Sequence, residues 1–353
     1  MKRLTCLVLI LLGVFVLAAP LKVAFIYIGP AGDAGWTYAH DQGRLYIEKV
    51  FGDQIETAYA ESVPEGMEAL QTIRSYIKRG YKVIFATSFG YMDPTYEAAQ
   101  EYPDVHFFHC SGYKTYKNMT AYFGRIYQPS FLSGLVAGMM TKTNIIGYVA
   151  AHPIPEVIRG INAFALGVRM MNPEAKVRVV WTNSWYDPAT EKEAALSLID
   201  LGADVIAQQT DSAAPVQTAE EKQLYSIGYN TDMRKFAPKY YLTSAIWDWG
   251  IYYERVLKEI MNGTWKAENY WGGMEDGIIK LAPFGSSVPS NVRTVVSVFE
   301  HAIKKGIFDP FEGPIYDQRG NLRVDIGEKL SDEELLSMNW FVDNIEGSIP
   351  GQL

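Results

Sequence analysis

The sequence predicts an α/β protein built from two doubly wound lobes with parallel sheets. Three observations carry this. Runs such as Lys22-Val-Ala-Phe-Ile-Tyr-Ile28, 83–87 and 205–209 are short and continuously apolar, as in strands covered by helices on both faces. Segments with helical spacing separate them; in 154–171, Val157, Ile158, Ile161, Phe164, Ala165 and Val168 form one stripe. The alternation continues through about ten strands, more than one twisted sheet holds comfortably, so it divides into two series.

The first series opens with strand 22–28, a Gly-rich turn and a helix over 36–51. Strand 55–60, helix 66–79, strand 83–87, helix 94–101, strand 105–110 and a short strand 120–123 follow. The second series runs helix 129–141, strand 145–150, helix 154–171, strand 176–181, helix 188–201, strand 205–209, helix 214–221, strand 224–229 and strand 241–246. Pro155 fits a first helical turn and Asn172-Pro173 ends that helix. Right-handed β-α-β crossovers make the sheets parallel. The chain first passes between lobes near 124–128, and again near 244–250 and 272–283. Lobe 1 is therefore expected to comprise 20–125 and 247–271, and lobe 2 to comprise 126–246 and 272–353.

The chain has 353 residues, a net charge of −8, 23 Tyr, 16 Phe and 8 Trp. An acidic balance argues against a nucleic-acid polymer as partner, because phosphate binding needs a basic face. Residues 1–19 have the form of a cleavable export leader: basic Met1-Lys-Arg3, an apolar stretch from Leu4 to Val16, then small residues. The stretch is shorter than the roughly 20 residues of a membrane span. No Cys follows the small residues, so a lipid anchor is not expected there. Cys110 alone remains after the leader, which leaves no intramolecular disulfide.

In doubly wound sheets ligands bind beyond the carboxyl ends of the strands. Residues at such positions in the first series include Asp33, Trp36, Thr37, Ser88 and Phe89. In the second they include His152, Asn183, Trp185, Asp211 and Asn230. The later crossing adds Trp247, Asp248 and Trp249. Rings and amide or carboxylate groups converging on one cleft suit a flat ligand with a polar edge. Each residue also has a structural reading. Asp33 suits both a helix cap and a ligand contact. Trp36, among Gly32, Gly35 and Thr37, lacks neighbours that would make a core. Trp185 stands in the polar segment Thr182-Asn-Ser-Trp-Tyr-Asp187, which points to exposure. Asp211 suits a cap or a contact, and His152-Pro153 a satisfied polar residue. The sequence shows no Gly-x-Gly-x-x-Gly after the first strand, no phosphate loop, no Gly-x-Ser-x-Gly elbow and no metal-ligand spacing. Neither catalytic residues, a metal nor a cofactor is expected.

The motifs Gly32-Asp-Ala-Gly-Trp-Thr37, Ser88-Phe-Gly-Tyr-Met-Asp93, Tyr102-Pro-Asp-Val-His-Phe107, Ser133-Gly-Leu-Val-Ala-Gly138, Gly202-Ala-Asp-Val-Ile206 and Leu281-Ala-Pro-Phe284, in this order, resemble the basic membrane protein (BMP) family. These are substrate-binding proteins of ABC importers, and the resemblance spans essentially all of the chain after the leader. It implies the type I periplasmic-binding-protein fold, two Rossmann-like lobes joined by a three-crossover hinge. It also implies an extracytoplasmic or periplasmic location, a membrane permease as partner, and a purine-type ligand. Nucleoside-binding members typically carry Asp where this chain has Asn230, Lys where it has Trp247, and Asp where it has Ser111. The set Trp36, Ser88, Phe89, Trp185, Asp211, Trp247 and Asp248 resembles the subgroup associated with a free base such as adenine. On this resemblance Trp36 with Phe89 or Trp185 stacks on the base, while Asp211, Asn230 and Asp248 read its edge. A nucleoside or sugar receptor of the same fold is the nearest alternative. A nucleoside-processing enzyme and a sensor ectodomain are more distant ones.

Overall fold

The computed structural model describes residues 19–351. The expected leader lies outside the described residues, apart from Ala19. The chain opens with β1 (Leu21–Ile26), α1 (Trp36–Phe51), β2 (Ile55–Ala60), α2 (Met67–Lys78), β3 (Val83–Ala86), α3 (Met92–Glu101), β4 (His106–Cys110) and β5 (Met119–Gly124). It continues through α4 (Tyr127–Met140), β6 (Ile145–Ala150), α5 (Pro155–Met171), β7 (Lys176–Trp181), α6 (Pro188–Asp200), β8 (Val205–Gln209), α7 (Ala214–Glu221), β9 (Tyr225–Asn230) and β10 (Tyr241–Trp247). Then come α8 (Trp249–Met261), β11 (Asn269–Gly272), β12 (Ile279–Leu281), α9 (Ser290–Lys304), β13 (Ile315–Tyr316), β14 (Leu322–Val324), α10 (Asp332–Leu336) and β15 (Ile345–Glu346).

Two sheets result. The first has strand order β11-β5-β4-β3-β1-β2, every pair parallel. The second has order β12-β10-β9-β8-β6-β7-β15, parallel except for β12 against β10. The central strands are buried on both faces, from Val23 to Tyr27 and from Val83 to Ala86, as their unbroken apolar character requires. Helices α4 and α5 cross at close range. A Cβ on Gly134 would lie 2.0 Å from the Phe164 carbonyl oxygen, so only glycine permits the contact.

The chain passes from one sheet to the other three times: after β5, after β10 and after β11. The crossings are bonded to one another. The Arg125 N–H donates to the Gly272 carbonyl at 2.7 Å, and the Asp248 N–H to the Ile278 carbonyl at 2.7 Å. The Met274 N–H donates to Gln128 Oε1 at 2.9 Å.

The last segment, 309–351, wraps the second lobe. Polar groups on α5 hold it: Arg159 Nη1 donates to the Leu335 carbonyl at 2.6 Å and Asn162 Nδ2 to that of Trp340 at 2.7 Å. Its α10 starts with a capping box between Ser331 and Glu334. From that helix, Asp332 reaches the first crossing and takes both guanidinium nitrogens of Arg125 at 2.7 Å. The Arg125 head also lies 4.0 Å over the Trp271 ring. Among the described residues no helix is long and apolar enough to cross a membrane.

Candidate functional site

The carboxyl ends of the two sheets face each other, and a cavity of about 310 Å³ lies between them. The first lobe lines it with Ile28, Gly29, Asp33 and Thr37. The second contributes His152, Asn183, Ser184, Trp185, Tyr186 and Asp211. Each arises where the fold requires a turn. Ile28 and Gly29 follow β1, His152 follows β6, residues 183–186 follow β7, and Asp211 follows β8.

Asp33 serves as the cap of α1. Its Oδ1 accepts from the Gly35 and Tyr38 N–H groups at 2.8 and 2.9 Å, and its Oδ2 from the Thr37 N–H at 2.9 Å. Thr37 Oγ1 in turn accepts from the Gly29 N–H at 3.2 Å. The turn is thus tied to its helix. Burial raises the Asp33 carboxyl above the ordinary carboxylate range, against those three lowering N–H bonds.

Across the cleft, the Asp211 N–H donates to the Trp185 carbonyl at 2.8 Å, which joins the β7 and β8 loops. One Asp211 oxygen accepts from Asn230 Nδ2 at 2.8 Å, and Asn230 Oδ1 accepts from Trp247 Nε1 at 2.9 Å. Burial pushes the Asp211 carboxyl well above its usual range. Asp33, Glu191 and Glu156 add to the rise, while Asn230 opposes it. Trp185 is 36% exposed and meets the His152 ring edge-on at 5.1 Å.

The lobes touch beside this cavity. Thr231 Oγ1 donates to the Ala34 carbonyl, and Lys235 Nζ lies 5.3 Å from the Tyr38 ring centre. Gly35 abuts the Asp211 backbone so closely that a Cβ there would sit 2.1 Å from its carbonyl oxygen.

Several residues expected at the ligand are placed otherwise. Asn230 is fully buried and both ends of its amide are engaged, by Asp211 and by Trp247. Asp248 is ion-paired with Lys280 and lines a separate hollow of about 380 Å³ with Tyr46 and Trp249. Trp247 is buried and stacks on Trp249, with centroids 4.5 Å apart. Trp36 is half-buried, its Nε1 donating to the Thr87 carbonyl at 2.7 Å and its ring edge-on to those of Trp247, Trp249 and His40. It is not among the residues lining the cavity. Ser88 Oγ donates to Glu65 at 2.7 Å, and Phe89 is 54% exposed outside the lining. Asp33, Thr37, Trp185 and Asp211 do line it.

Tyr186 and Ser184 were not singled out from sequence. The signal was their place in the polar segment around Trp185. His152 and Asn183 had been placed at strand ends, and both line the cavity.

Two lobes with parallel sheets, three crossings and one cleft between strand ends define the type I periplasmic-binding-protein fold. A solved ABC-transporter solute-binding protein from Conexibacter woesei superposes with a TM-score of 0.70 at 22% identity, over 82% of this chain and 98% of that one. The chain belongs to the Bmp family of PnrA-like ABC transporter substrate-binding proteins, whose profile matches residues 21–308. A purine-binding protein of Brucella abortus is 46% identical over 330 residues, 94% of each chain. A putative ABC transporter glucose-binding protein of Haloferax volcanii is 43% identical over 93% of this chain and 81% of its own length.

Proposed function

We propose that this protein is the extracytoplasmic receptor of an ABC importer for a purine base, adenine foremost, which it carries to its membrane permease. The observation that carries the reading is the cavity itself. At about 310 Å³ it stands at the small end of ligand pockets, which run from roughly 300 to 1,000 Å³. It offers one indole, Trp185, and acceptors from both lobes, Asp33 and Asp211. A small flat heterocycle with N–H groups on its edge fits that set. Stacking on an aromatic ring is worth about 1–3 kcal/mol per base. A few edge hydrogen bonds and desolvation then bring the total near the roughly −8 kcal/mol of micromolar binding. The purine-binding relative, matched over nearly its whole length, supports the same ligand class.

In this reading Trp185 stacks on the base, Asp211 and Asp33 meet its edge, and Asn230 and Trp247 hold Asp211 in place. Ligand contacts to both lobes favour the closed arrangement, which is the form the permease reads. No bond is made or broken in the ligand.

The relative with a putative glucose-binding name favours a second reading, a sugar receptor, since an indole and carboxylates also suit hydroxyl-rich rings. Thermal unfolding with adenine, guanine, adenosine, inosine, ribose and glucose separates the two. A ligand bound only by the native state raises its stability by mass action. Free bases are expected to raise Tm; a rise with glucose or ribose and none with bases refutes the base reading.

A further inference from the structure

Asp33 and Asp211 belong to opposite lobes and line one cavity. The lobes meet at that point, with Gly35 against the Asp211 backbone. Among the described residues neither carboxylate forms an ion pair. Asp33 is held by backbone N–H groups and Asp211 by the neutral amide of Asn230. The other charged and titratable groups around Asp211 are mostly of the same sign or neutral. Glu191 on α6 and Glu156 on α5 are carboxyls, and Tyr229 on β9 is a phenol held in its neutral form by burial. His152 and Tyr186 complete the lining. Two cations on surrounding elements are engaged elsewhere: Arg159 donates to the Leu335 carbonyl, and Lys235 lies over the Tyr38 and Phe236 rings.

We propose that Asp33 and Asp211 hold a single negative charge between them in the closed cleft, and that Asp211 meets its ligand as a neutral carboxyl. Two ionised carboxylates brought together away from water, with no cation between them, oppose closure. Asp33 keeps the charge because three N–H groups and the start of α1 stabilise it. Asp211 keeps the proton because burial and three acidic neighbours disfavour its ionised form.

The consequence is one of selectivity. An ionised carboxylate only accepts and calls for two donors side by side. A neutral carboxyl donates through its O–H and accepts through its C=O. It therefore matches a ligand edge with one donor next to one acceptor, such as the amino group and neighbouring ring nitrogen of an amino-purine. Nδ2 of Asn230 takes one lone pair of the Asp211 carbonyl oxygen, which leaves that oxygen's second lone pair and the O–H of the other oxygen for the ligand.

The ligand half of this proposal rests on the base reading; the shared charge does not, and two measurements keep them apart. Calorimetry with adenine between about pH 6 and pH 8, in buffers of different ionisation heat, reads proton uptake. Uptake approaching one proton per adenine is expected, with affinity falling up to tenfold per pH unit as pH rises. In Asp211→Asn both the uptake and the slope disappear, whatever its affinity. Small-angle scattering of the empty protein needs no ligand. The wild-type chain is expected to be more compact near pH 5 than near pH 8, and D211N to show no such shift. Adenine binding with no proton uptake and no scattering shift overturns the shared charge and leaves the base reading standing. A scattering shift in a protein that does not bind adenine overturns the base reading and leaves the shared charge standing.

Discussion

Replacing Gly35 by Ala separates closure from folding. The new Cβ falls 2.1 Å from the Asp211 carbonyl oxygen, 2.6 Å from its Cα and 2.7 Å from its carbonyl carbon. These are backbone atoms of the opposite lobe, fixed by the Asp211–Trp185 hydrogen bond, and no rotamer change clears them. Relief requires the lobes to part by about 1.4 Å, because non-bonded atoms settle near 3.5 Å. The overpacking cost of about 1–3 kcal/mol falls on the closed form alone. Ligand affinity should therefore drop about 5- to 150-fold. The open form pays only the lesser quality of Ala ahead of a helix, at most about 1 kcal/mol. The assay is calorimetric titration with adenine, alongside Tm of the empty protein and scattering with and without ligand. Gly32→Ala is the control, since a Cβ at Gly32 meets no atom within 4 Å. Wild-type affinity and full ligand-induced compaction in G35A would refute the closed contact as drawn.

Trp185→Ala should weaken adenine binding by the stacking contribution, about 1–3 kcal/mol or 5- to 150-fold, in the same titration; unchanged affinity removes the indole from the site. Trp247→Phe keeps an aromatic ring, though a smaller one, and deletes the donor to Asn230, freeing the amide that holds Asp211. The loss of one buried hydrogen bond is expected to cost about 1–3 kcal/mol, read as a lower Tm together with weaker binding. In Asp317, burial raises the carboxyl, but hydrogen bonds from Asn321, Arg323 and the Arg319 N–H outweigh it and bring it down to about 2. Its folded value is below the ordinary 3.8, so its stabilisation is present at neutral pH and lost as pH falls from about 4 to about 2. Asp317→Asn should thus lower Tm at pH 7 and differ little from wild type near pH 2; a pH-independent difference counts against this account.

The central strands were legible because burial on both faces leaves no polar alternation to misread. The first crossing was legible from where β5 ends and α4 begins. No element after 246 was read: α8 and α9 are long enough to carry helical spacing and were missed, while the short strands were hidden for a physical reason. Strands β13 and β15 are two residues long, too short for any periodicity; β13 is placed by pairing with β14 and β15 by pairing with β7. Trp185 stood out through its polar neighbours. Asn230 and Asp248 were harder: a strand-end polar residue looks the same in sequence whether its partner is a ligand, Trp247 or Lys280. Only the packing of β9, β10 and β12 decides among these. Trp36 lacked apolar neighbours along the chain, but Trp247 and Trp249 reach it from far away in sequence.

The direction of β1 carries a consequence for tethering. In the first sheet all strands run parallel, and their carboxyl ends supply the cleft. Leu21 therefore lies at the opposite end of its lobe, at the start of the six-residue β1, about 17 Å from the end of that strand at the usual rise per residue. Whatever joins the chain ahead of Leu21, natural or engineered, is attached at the end remote from the ligand. A surface-immobilised protein held there would present its cleft outward and leave both lobes free to close.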